Sequence, residues 1–482
     1  PVEEAVPGDR PEWLPLLLDR AASMVQRDKN HPSIVMWSCG NESFGGKDIL
    51  AVADYFRAVD DRPVHYEGVT WDPRYPDTTD VVSQMYTPAV DVEAFLREHR
   101  DKPFVLCEYA HSMGNSFGAV DRYIDLAYRE ELFQGGFIWD FADQAIAMKD
   151  RYGRPFFGYG GDNGEAPHDH DFCGNGILFA DHTPMPRMQE VKYLYQPLVA
   201  TVSETTVTIT NRFLFTPSSA YECLVMVSRE GILLSTHVLE TDVAPGTTSS
   251  FINPASLPVE PGEYTIDVSF RLPHATAWAP AGHEIAWAQG VFRVEETAAP
   301  RSWVSTPDEA PEPPVVVRGI HNIGVHGKDF SATFSALTGG LLSYRYGRTP
   351  GGMRELLRAM PKPNFWHAPT ANERGWGGPA RDAQWLGASR YASGSKPEVT
   401  ILDDGDAAIT YTYTLPTVPE SECDVTYVVD GVGHVDVTLV LRPGDGLPDA
   451  PEFGMMLVTD ADFSRLRFYG EGPEESYIDR RA

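Results

Sequence analysis

The chain has 482 residues, of which 42% are hydrophobic, and its 69 acidic and 39 basic residues give a formal net charge of −30 at pH 7. This length suggests about three domains with sizeable cores. The negative charge argues against nucleic acid or an anionic membrane surface as a partner and suits a protein that acts on a neutral ligand. No apolar stretch approaches the ~18 residues of a membrane-spanning helix, and the first residues lack a signal-peptide pattern.

Strand and helix patterns alternate over the first part of the chain. After an acidic, proline-rich start, Trp13–Val25 has the spacing of an amphipathic helix. Short apolar runs then predict strands at 33–40, 63–68, 81–86, 103–108 and 136–140, and the segments between them predict helices at 48–58, 91–99 and 117–128. This alternation predicts βα units around a parallel sheet.

Two of these predicted strands lead into a glutamate. Glu42 follows the first run, and Glu108 ends the run that begins at Pro103. Barrel enzymes keep their chemistry at the C-terminal ends of strands. A carboxylate pair there suits glycoside hydrolysis, in which one group protonates the leaving oxygen and the other attacks or stabilises the sugar centre. A single glutamate would more readily be a solvated loop residue, but two of them, with Asn and His neighbours, favour a site.

The motifs around both glutamates carry a family resemblance. Residues 27–33 and 40–43, together with 107–116, resemble the acid/base and nucleophile signatures of glycoside hydrolase family 2, and within it the bacterial β-galactosidases of the lactose-operon type. Residues 135–140 and 172–176 continue the similarity, which weakens toward the last residues. The resemblance implies a retaining enzyme that releases terminal β-D-galactose from β-galactosides such as lactose by double displacement.

The same resemblance assigns roles to individual residues. Glu42 is expected to be the general acid and then the base, and Glu108 the nucleophile. Asn41 resembles the donor to the 2-hydroxyl of the sugar. His111 resembles a residue that binds a sugar hydroxyl, although a lone loop histidine is more often only solvated.

Two aromatic residues at predicted strand ends complete the expected site. Tyr86 resembles a phenol beside the nucleophile whose hydroxyl orients Glu108; an ordinary core aromatic is the alternative. Trp139 would offer its ring face to the apolar face of galactose, and simple packing is the alternative.

Two metal ions are implied by the resemblance. Glu42 would bind Mg²⁺ with ligands from an upstream strand, and the backbone carbonyl of Phe172 with the side chain of Asn175 would bind Na⁺. The remaining ligands would lie upstream of Pro1. The loop at 168–171 alternates His and Asp, but such loops are more often solvated, and no zinc-type spacing accompanies it.

The predicted fold is multidomain. Five strands fall short of the eight of a (β/α)₈ barrel; by resemblance they are strands four to eight, so residues 1–194 would be the C-terminal part of a TIM barrel, with an open doubly wound sheet as the alternative. Short alternating strands predict an immunoglobulin-like β-sandwich over 195–297, and Pro-rich 298–315 a linker. Residues 316–482 resemble a large C-terminal β-sandwich domain, and we expect the chain to be truncated at both ends.

Three functions compete at this level. They are a β-galactosidase; another family 2 glycosidase, of the β-glucuronidase or β-mannosidase type; and a catalytically silent carbohydrate-binding or assembly subunit. An incomplete barrel would leave an exposed sheet edge, so residues 1–482 alone are expected to lack activity and to associate. A homo-oligomer is also implied by the resemblance. Five cysteines without a C-x-x-C pair, with Cys39 and Cys107 in apolar runs, predict reduced core thiols and a cytoplasmic protein.

Overall fold

The structure, a computed structural model, describes residues 7–295, 312–349, 352–474 and 476–481. It divides into two compact units, the first formed by residues up to 298 with those from 469 onward, and the second by residues 299–468. Most of the predicted linker at 298–315, and the first six residues of the acidic start, lie outside the described residues. In the part of the chain that is described, no helix is long and apolar enough to cross a membrane.

The first unit begins with the five predicted parallel strands. They are β1 (Trp37–Ser38), β2 (Val64–His65), β3 (Val82–Met85), β4 (Phe104–Tyr109) and β5 (Phe133–Ile138). β1 pairs with β2, and β3, β4 and β5 form a second parallel ladder. Asp80 joins the two ladders, because its amide donates to the Val64 carbonyl at 2.8 Å and its carboxylate accepts from the Val64 amide at 2.7 Å.

Four helices alternate with these strands: α1 (Leu14–Asp28), α2 (Lys47–Val59), α3 (Ala89–Glu98) and α4 (Asp121–Arg129). α2 buries Ile49, Val52, Ala53 and Phe56, the i, i+3, i+4, i+7 spacing of a helix that covers a sheet. β4 is buried along nearly its whole length, as expected of a parallel strand covered on both faces. The strands therefore hold their C-terminal ends on a rigid frame.

Several predicted elements differ from the structure in extent. The strand predicted over 63–68 pairs only at Val64–His65 and is followed by a 3₁₀ turn at Glu67–Thr70. The first strand was predicted over 33–40 but pairs only at Trp37–Ser38, because β2 offers it a partner over just two residues. The helix predicted from Phe117 begins instead at Asp121, since Phe117 and Ala119 have φ of 84° and 57°, which no helix accommodates. Past β5, the chain forms a hairpin of β6 (Ile146–Lys149) and β7 (Pro155–Gly158), and then α5 (Met188–Leu194).

A two-sheet sandwich follows within the same unit. Its strands are β8 (Leu198–Val202), β9 (Thr206–Asn211), β10 (Glu222–Arg229), β11 (Ile232–Val238), β12 (Thr248–Ile252), β13 (Gly262–Arg271) and β14 (Glu284–Val294). One sheet has the order β11-β10-β13-β14 and the other β12-β9-β8. Along β13, Tyr264, Ile266, Val268 and Phe270 are buried, and the residues between them are mostly polar. This period of two places one face of the strand in the sandwich core.

The second unit is also mainly β. Its strands are β15 (Val315–Arg318), β16 (Asn322–His326), β17 (Phe330–Ser335), β18 (Leu341–Thr349), β19 (Gly352–Glu355), β20 (Ala359–Asn364), β21 (Ser393–Gly394), β22 (Glu398–Ile401), β23 (Ala407–Leu415), β24 (Ser421–Val429), β25 (Val435–Arg442) and β26 (Gly454–Val458). Its helices are α6 (Ala371–Gly375), α7 (Gly378–Arg381) and α8 (Ala383–Tyr391). One core links the β15–β19 sheet with the sheet built on β23, β24 and β25, and includes the buried Trp385, whose indole donates to the Pro448 carbonyl at 2.9 Å.

Candidate active site

Glu108 lies near the end of β4 and is 6% exposed. Two hydrogen bonds join it to Tyr86, at the end of the neighbouring strand β3. The hydroxyl of Tyr86, directly after β3, donates to Glu108 Oε2 at 2.5 Å, and the Tyr86 amide donates to the Glu108 carbonyl at 2.9 Å. Because β3 and β4 are parallel neighbours, their C-terminal ends meet, and the tyrosine reaches the carboxylate from the adjacent strand.

Glu42 lies on the loop after β1 and is exposed, with φ of 47°. Its backbone amide donates to Oε1 of Glu67, in the 3₁₀ turn that follows β2. Glu67 is only 1% exposed. The C-terminal ends of β1, β2 and β4 thus each carry a glutamate.

Burial and mutual repulsion set the electrostatics of these carboxyl groups. Burial raises the pKa of Glu108, the Tyr86 hydrogen bond lowers it, and the charge of Glu42 raises it again. Burial likewise raises the pKa of Glu67, and the charges of Glu108 and Glu42 add to this, against the hydrogen bond from the Glu42 amide. Burial and the Glu108 contact raise the pKa of Tyr86, so its hydroxyl keeps the proton that it donates. The charges of Glu42 and Glu108 therefore raise the pKa of Glu67, and the charge of Glu42 also raises that of Glu108.

His111 packs beside this cluster. Its ring lies edge-on to the Tyr86 ring, with centroids 5.8 Å apart, and tilted against the Phe172 ring at 5.9 Å. Burial lowers the pKa of His111, and the charge of Asp140 opposes that shift. A neutral imidazole can donate one hydrogen bond and accept another, which suits a sugar hydroxyl.

Trp139 and Asn41 are joined to the site less directly. Trp139 follows β5 and is partly buried; its carbonyl accepts from the Ser112 amide at 2.8 Å and its amide donates to the Tyr109 carbonyl at 3.1 Å. Its backbone is thus hydrogen-bonded to the last residue of β4 and to the loop that follows. Asn41 is exposed beside Glu42, and its carbonyl accepts from the Ser43 hydroxyl at 3.0 Å.

Phe172 and Asn175, the two residues expected to share a ligand, are joined by a hydrogen bond. The Asn175 amide nitrogen lies 3.1 Å from the Phe172 carbonyl oxygen, and Asn175 is 3% exposed. Its Oδ1 is buried and has no hydrogen-bond partner among the described residues. An orphaned amide oxygen beside a backbone carbonyl is a hard oxygen pair, which fits an alkali cation.

A second group of potential metal ligands includes Glu67 itself. His65, Glu67 and Cys107 place one ligand atom each within 4.8 Å of one another. Both nitrogens of His65 are already engaged, Nδ1 with the Ser38 hydroxyl at 2.9 Å and Nε2 with the Ser83 hydroxyl at 2.7 Å. Burial lowers the pKa of His65 to about 4. A neutral, hydrogen-bonded core histidine explains this cluster without a metal.

Two arginines hold the loop that follows Glu108. The Arg187 guanidinium donates to the Gly114 carbonyl at 2.5 Å, and that of Arg480 donates to Asn115 Oδ1. The Ala119 amide also donates to the Asp479 carbonyl at 2.8 Å. The loop that carries His111 is therefore fixed from both α5 and the last residues of the chain.

Glu67 is the residue that the sequence interpretation left out of the site. It lies near the end of a predicted strand, and Glu42 and Glu108 follow or end two others, so the signal was a third glutamate at the same edge. The His168–Asp171 loop, in contrast, makes a local turn, in which the His170 amide lies 3.3 Å from His168 Nδ1.

Carboxylates grouped at the C-terminal ends of parallel strands define the class of glycoside-hydrolase-like sites. Three family profiles match successive parts of the chain: "Glycosyl hydrolases family 2, TIM barrel domain" at residues 2–200, "Beta-galactosidase, domain 4" at 207–293 and "Beta galactosidase small chain" at 326–482. The chain therefore carries domains of glycosyl hydrolase family 2, as its motifs predicted, and its fold is multidomain and rich in β-structure.

Curated relatives cover nearly all of the chain. The β-galactosidase of Clostridium acetobutylicum is 41% identical over 98% of this chain and 52% of its own length. The β-galactosidase of Streptococcus thermophilus is 41% identical over 98% of this chain and 47% of its own length. The chain therefore spans about half the length of these relatives. A solved β-glucuronidase of Parabacteroides merdae is 11% identical, with a TM-score of 0.30, and the match covers 89% of this chain and 53% of that one.

Proposed function

We propose that this chain carries the catalytic carboxylates of a retaining β-galactosidase. The observation that supports this most directly is the hydrogen bond from Tyr86 to Glu108 Oε2, which presents a buried carboxylate with one oriented oxygen at a strand end. The two β-galactosidase relatives supply the sugar class. The substrate is then a β-galactoside such as lactose.

In the first step Glu108 attacks the anomeric carbon and its oxygen forms an ester with the sugar, while Glu42 gives a proton to the departing glycosidic oxygen. In the second step Glu42 takes a proton from water, which attacks the same carbon and releases the Glu108 carboxylate. Two displacements return the β configuration. The first step requires Glu108 to be ionised; burial and the charge of Glu42 raise its pKa, and the hydrogen bond from Tyr86 opposes that shift.

The remaining residues would bind and orient the sugar. Asn41 would donate to the 2-hydroxyl, His111 would bind a second hydroxyl, and Trp139 would pack its ring against the apolar face of galactose. Tyr86 would keep the reactive oxygen of Glu108 in line by holding its partner oxygen.

Two metal sites belong to the same proposal. Glu42 would give one carboxylate oxygen to Mg²⁺, whose charge would favour an ordered sugar pocket, and Phe172 with Asn175 would give two oxygens to Na⁺. The buried Asn175 Oδ1 that lacks a partner among the described residues supports the second site.

At the level of the fold, we infer that β1–β5 correspond to strands four to eight of a TIM barrel within residues 1–194. Residues 195–297 would be an immunoglobulin-like sandwich, 298–315 a linker, and 316–482 part of a larger sandwich domain. The free thiols of all five cysteines support a reducing, cytoplasmic compartment. From the family resemblance we also propose that the protein is a homo-oligomer. Light scattering would measure its mass in solution.

A panel of nitrophenyl glycosides tests the activity on the intact protein that carries this chain. We expect kcat/KM for the β-D-galactoside to exceed that for the β-D-glucuronide and β-D-mannoside by at least about tenfold. Preference for either of the other sugars would replace galactose within the family. Sugar binding without hydrolysis of any glycoside would instead support a silent carbohydrate-binding subunit.

A further inference from the structure

Glu67 has a buried carboxyl group that accepts a hydrogen bond from the backbone of another glutamate. It is 1% exposed, and glutamate is rarely buried to that extent without a specific partner. Its Oε1 accepts from the amide of Glu42. The contact joins the end of β2 to the loop that follows β1.

Glu42 needs such support because of its backbone conformation. Its φ of 47° lies in the left-handed region, which is unfavourable for a residue with a side chain. The residue is exposed, so packing contributes little to holding it there. A buried acceptor for its amide offsets part of that cost and favours one orientation of the loop.

The neighbours of Glu67 hold the same loop. The Tyr66 hydroxyl, on a side chain that is 1% exposed, lies 3.1 Å from the Ser43 carbonyl oxygen and 3.0 Å from that of Phe44. A Cβ on Gly68 would approach the Ser43 carbonyl oxygen to 2.3 Å, so glycine is required for the loop to pack this closely. Residues 66–68, which we call the 66–68 clamp, therefore fix three successive residues from Glu42 onward.

We propose that Glu67 is a positioning residue for the acid/base glutamate, and that it acts as a hydrogen-bond acceptor for the Glu42 amide. It does not touch the sugar. Its work is to hold the Glu42 carboxyl at the distance from the glycosidic oxygen that proton transfer requires, where a displacement of 1 Å can cost about a hundredfold in rate. The inference rests on the proposed function, because it assigns Glu67 to the proton-transfer half of that reaction.

Two variants of the intact protein separate acceptor from charge. Glu67→Gln keeps the volume and an oxygen that can accept from the Glu42 amide, whereas Glu67→Met keeps the volume and removes the acceptor. For Glu67→Met we expect kcat/KM to fall about 10- to 100-fold on lactose or an alkyl galactoside, and by less than about threefold on dinitrophenyl β-galactoside. Only the first group of substrates needs a proton in the bond-breaking step. Glu67→Gln should stay within about threefold of wild type on both.

Azide provides a readout that general damage to the fold would not change. Azide attacks the anomeric carbon of the galactosyl ester without needing a base. The Glu108 carboxylate is displaced, and the product is galactosyl azide. We expect azide to raise kcat of Glu67→Met on dinitrophenyl β-galactoside, where the second step limits the rate, and to leave wild type and Glu67→Gln unchanged.

Equal losses on both substrate classes without an azide effect would overturn the inference, as would a Glu67→Gln variant as impaired as Glu67→Met. If circular dichroism showed that Glu67→Met does not fold, Tyr66→Phe would replace it, since it removes only the hydroxyl of the 66–68 clamp. It should show the same leaving-group pattern at smaller size, and a uniform effect would again refute the role. If the wild-type protein were inactive on every galactoside, the proposed function itself would be refuted.

Discussion

Removing the Tyr86 hydroxyl should move the acid limb of the pH profile. In Tyr86→Phe, Glu108 loses the hydrogen bond that lowers its pKa, while burial and the Glu42 charge, which raise it, remain. A hydrogen bond to a charged group contributes about 1.5–3 kcal/mol. Because Tyr86 is 40% exposed, we take the lower end, about 1.5 kcal/mol. At 1.36 kcal/mol per pKa unit this is a shift of about one pH unit.

The sign follows from the role of Glu108. A nucleophile must be ionised, so activity falls as the pH drops through its pKa, and a higher pKa moves that fall to higher pH. The assay is kcat/KM against pH with dinitrophenyl β-galactoside, whose departure needs no proton from Glu42. Tyr391→Phe, an exposed tyrosine on α8, is the matched control and should leave the profile in place. An acid limb that stays in place or moves to lower pH would refute the reasoning.

Three further predictions test other parts of the account. Glu42→Gln should lower kcat/KM on lactose by about 10²–10⁴-fold and far less on dinitrophenyl β-galactoside, and equal losses in the two assays would show that Glu42 is not the acid. Asn175→Ala should raise the sodium concentration needed for half-maximal activity at least tenfold, since a buried oxygen ligand is lost, and an unchanged sodium titration would remove Asn175 from the site. Phe270→Ala should lower the free energy of opening of the β13 amides by about 3–5 kcal/mol in hydrogen exchange, because the ring is fully buried; a change below about 1 kcal/mol would contradict that packing.

The positions of Glu108 and Tyr86 could be predicted because apolar runs mark the strands and parallel strands bring their ends together. The contact between them was implied by the family resemblance, and in the structure Tyr86 makes it from the neighbouring strand. A β-sandwich after the first domain was predicted for a similar reason: alternation along β13 gives a buried face with a period of two.

Backbone conformation was harder to predict than element type. The positive φ of Phe117 and Ala119 delays α4, and neither residue type signals such a conformation. The acceptor role of Glu67 depends on the loop from Glu42 returning to the end of β2, a tertiary contact with no local signature in the sequence. Its place at a strand end was visible, but its partner was not.

Covalent trapping would identify the residue that attacks the sugar. The intact protein would be inactivated with a 2-deoxy-2-fluoro β-galactoside that carries a good leaving group, digested, and its labelled peptide sequenced by mass spectrometry. The account predicts the fluorosugar on Glu108, and release of the β-anomer of galactose in NMR spectra of normal turnover. A label on Glu42 or Glu67, or first release of the α-anomer, would contradict it.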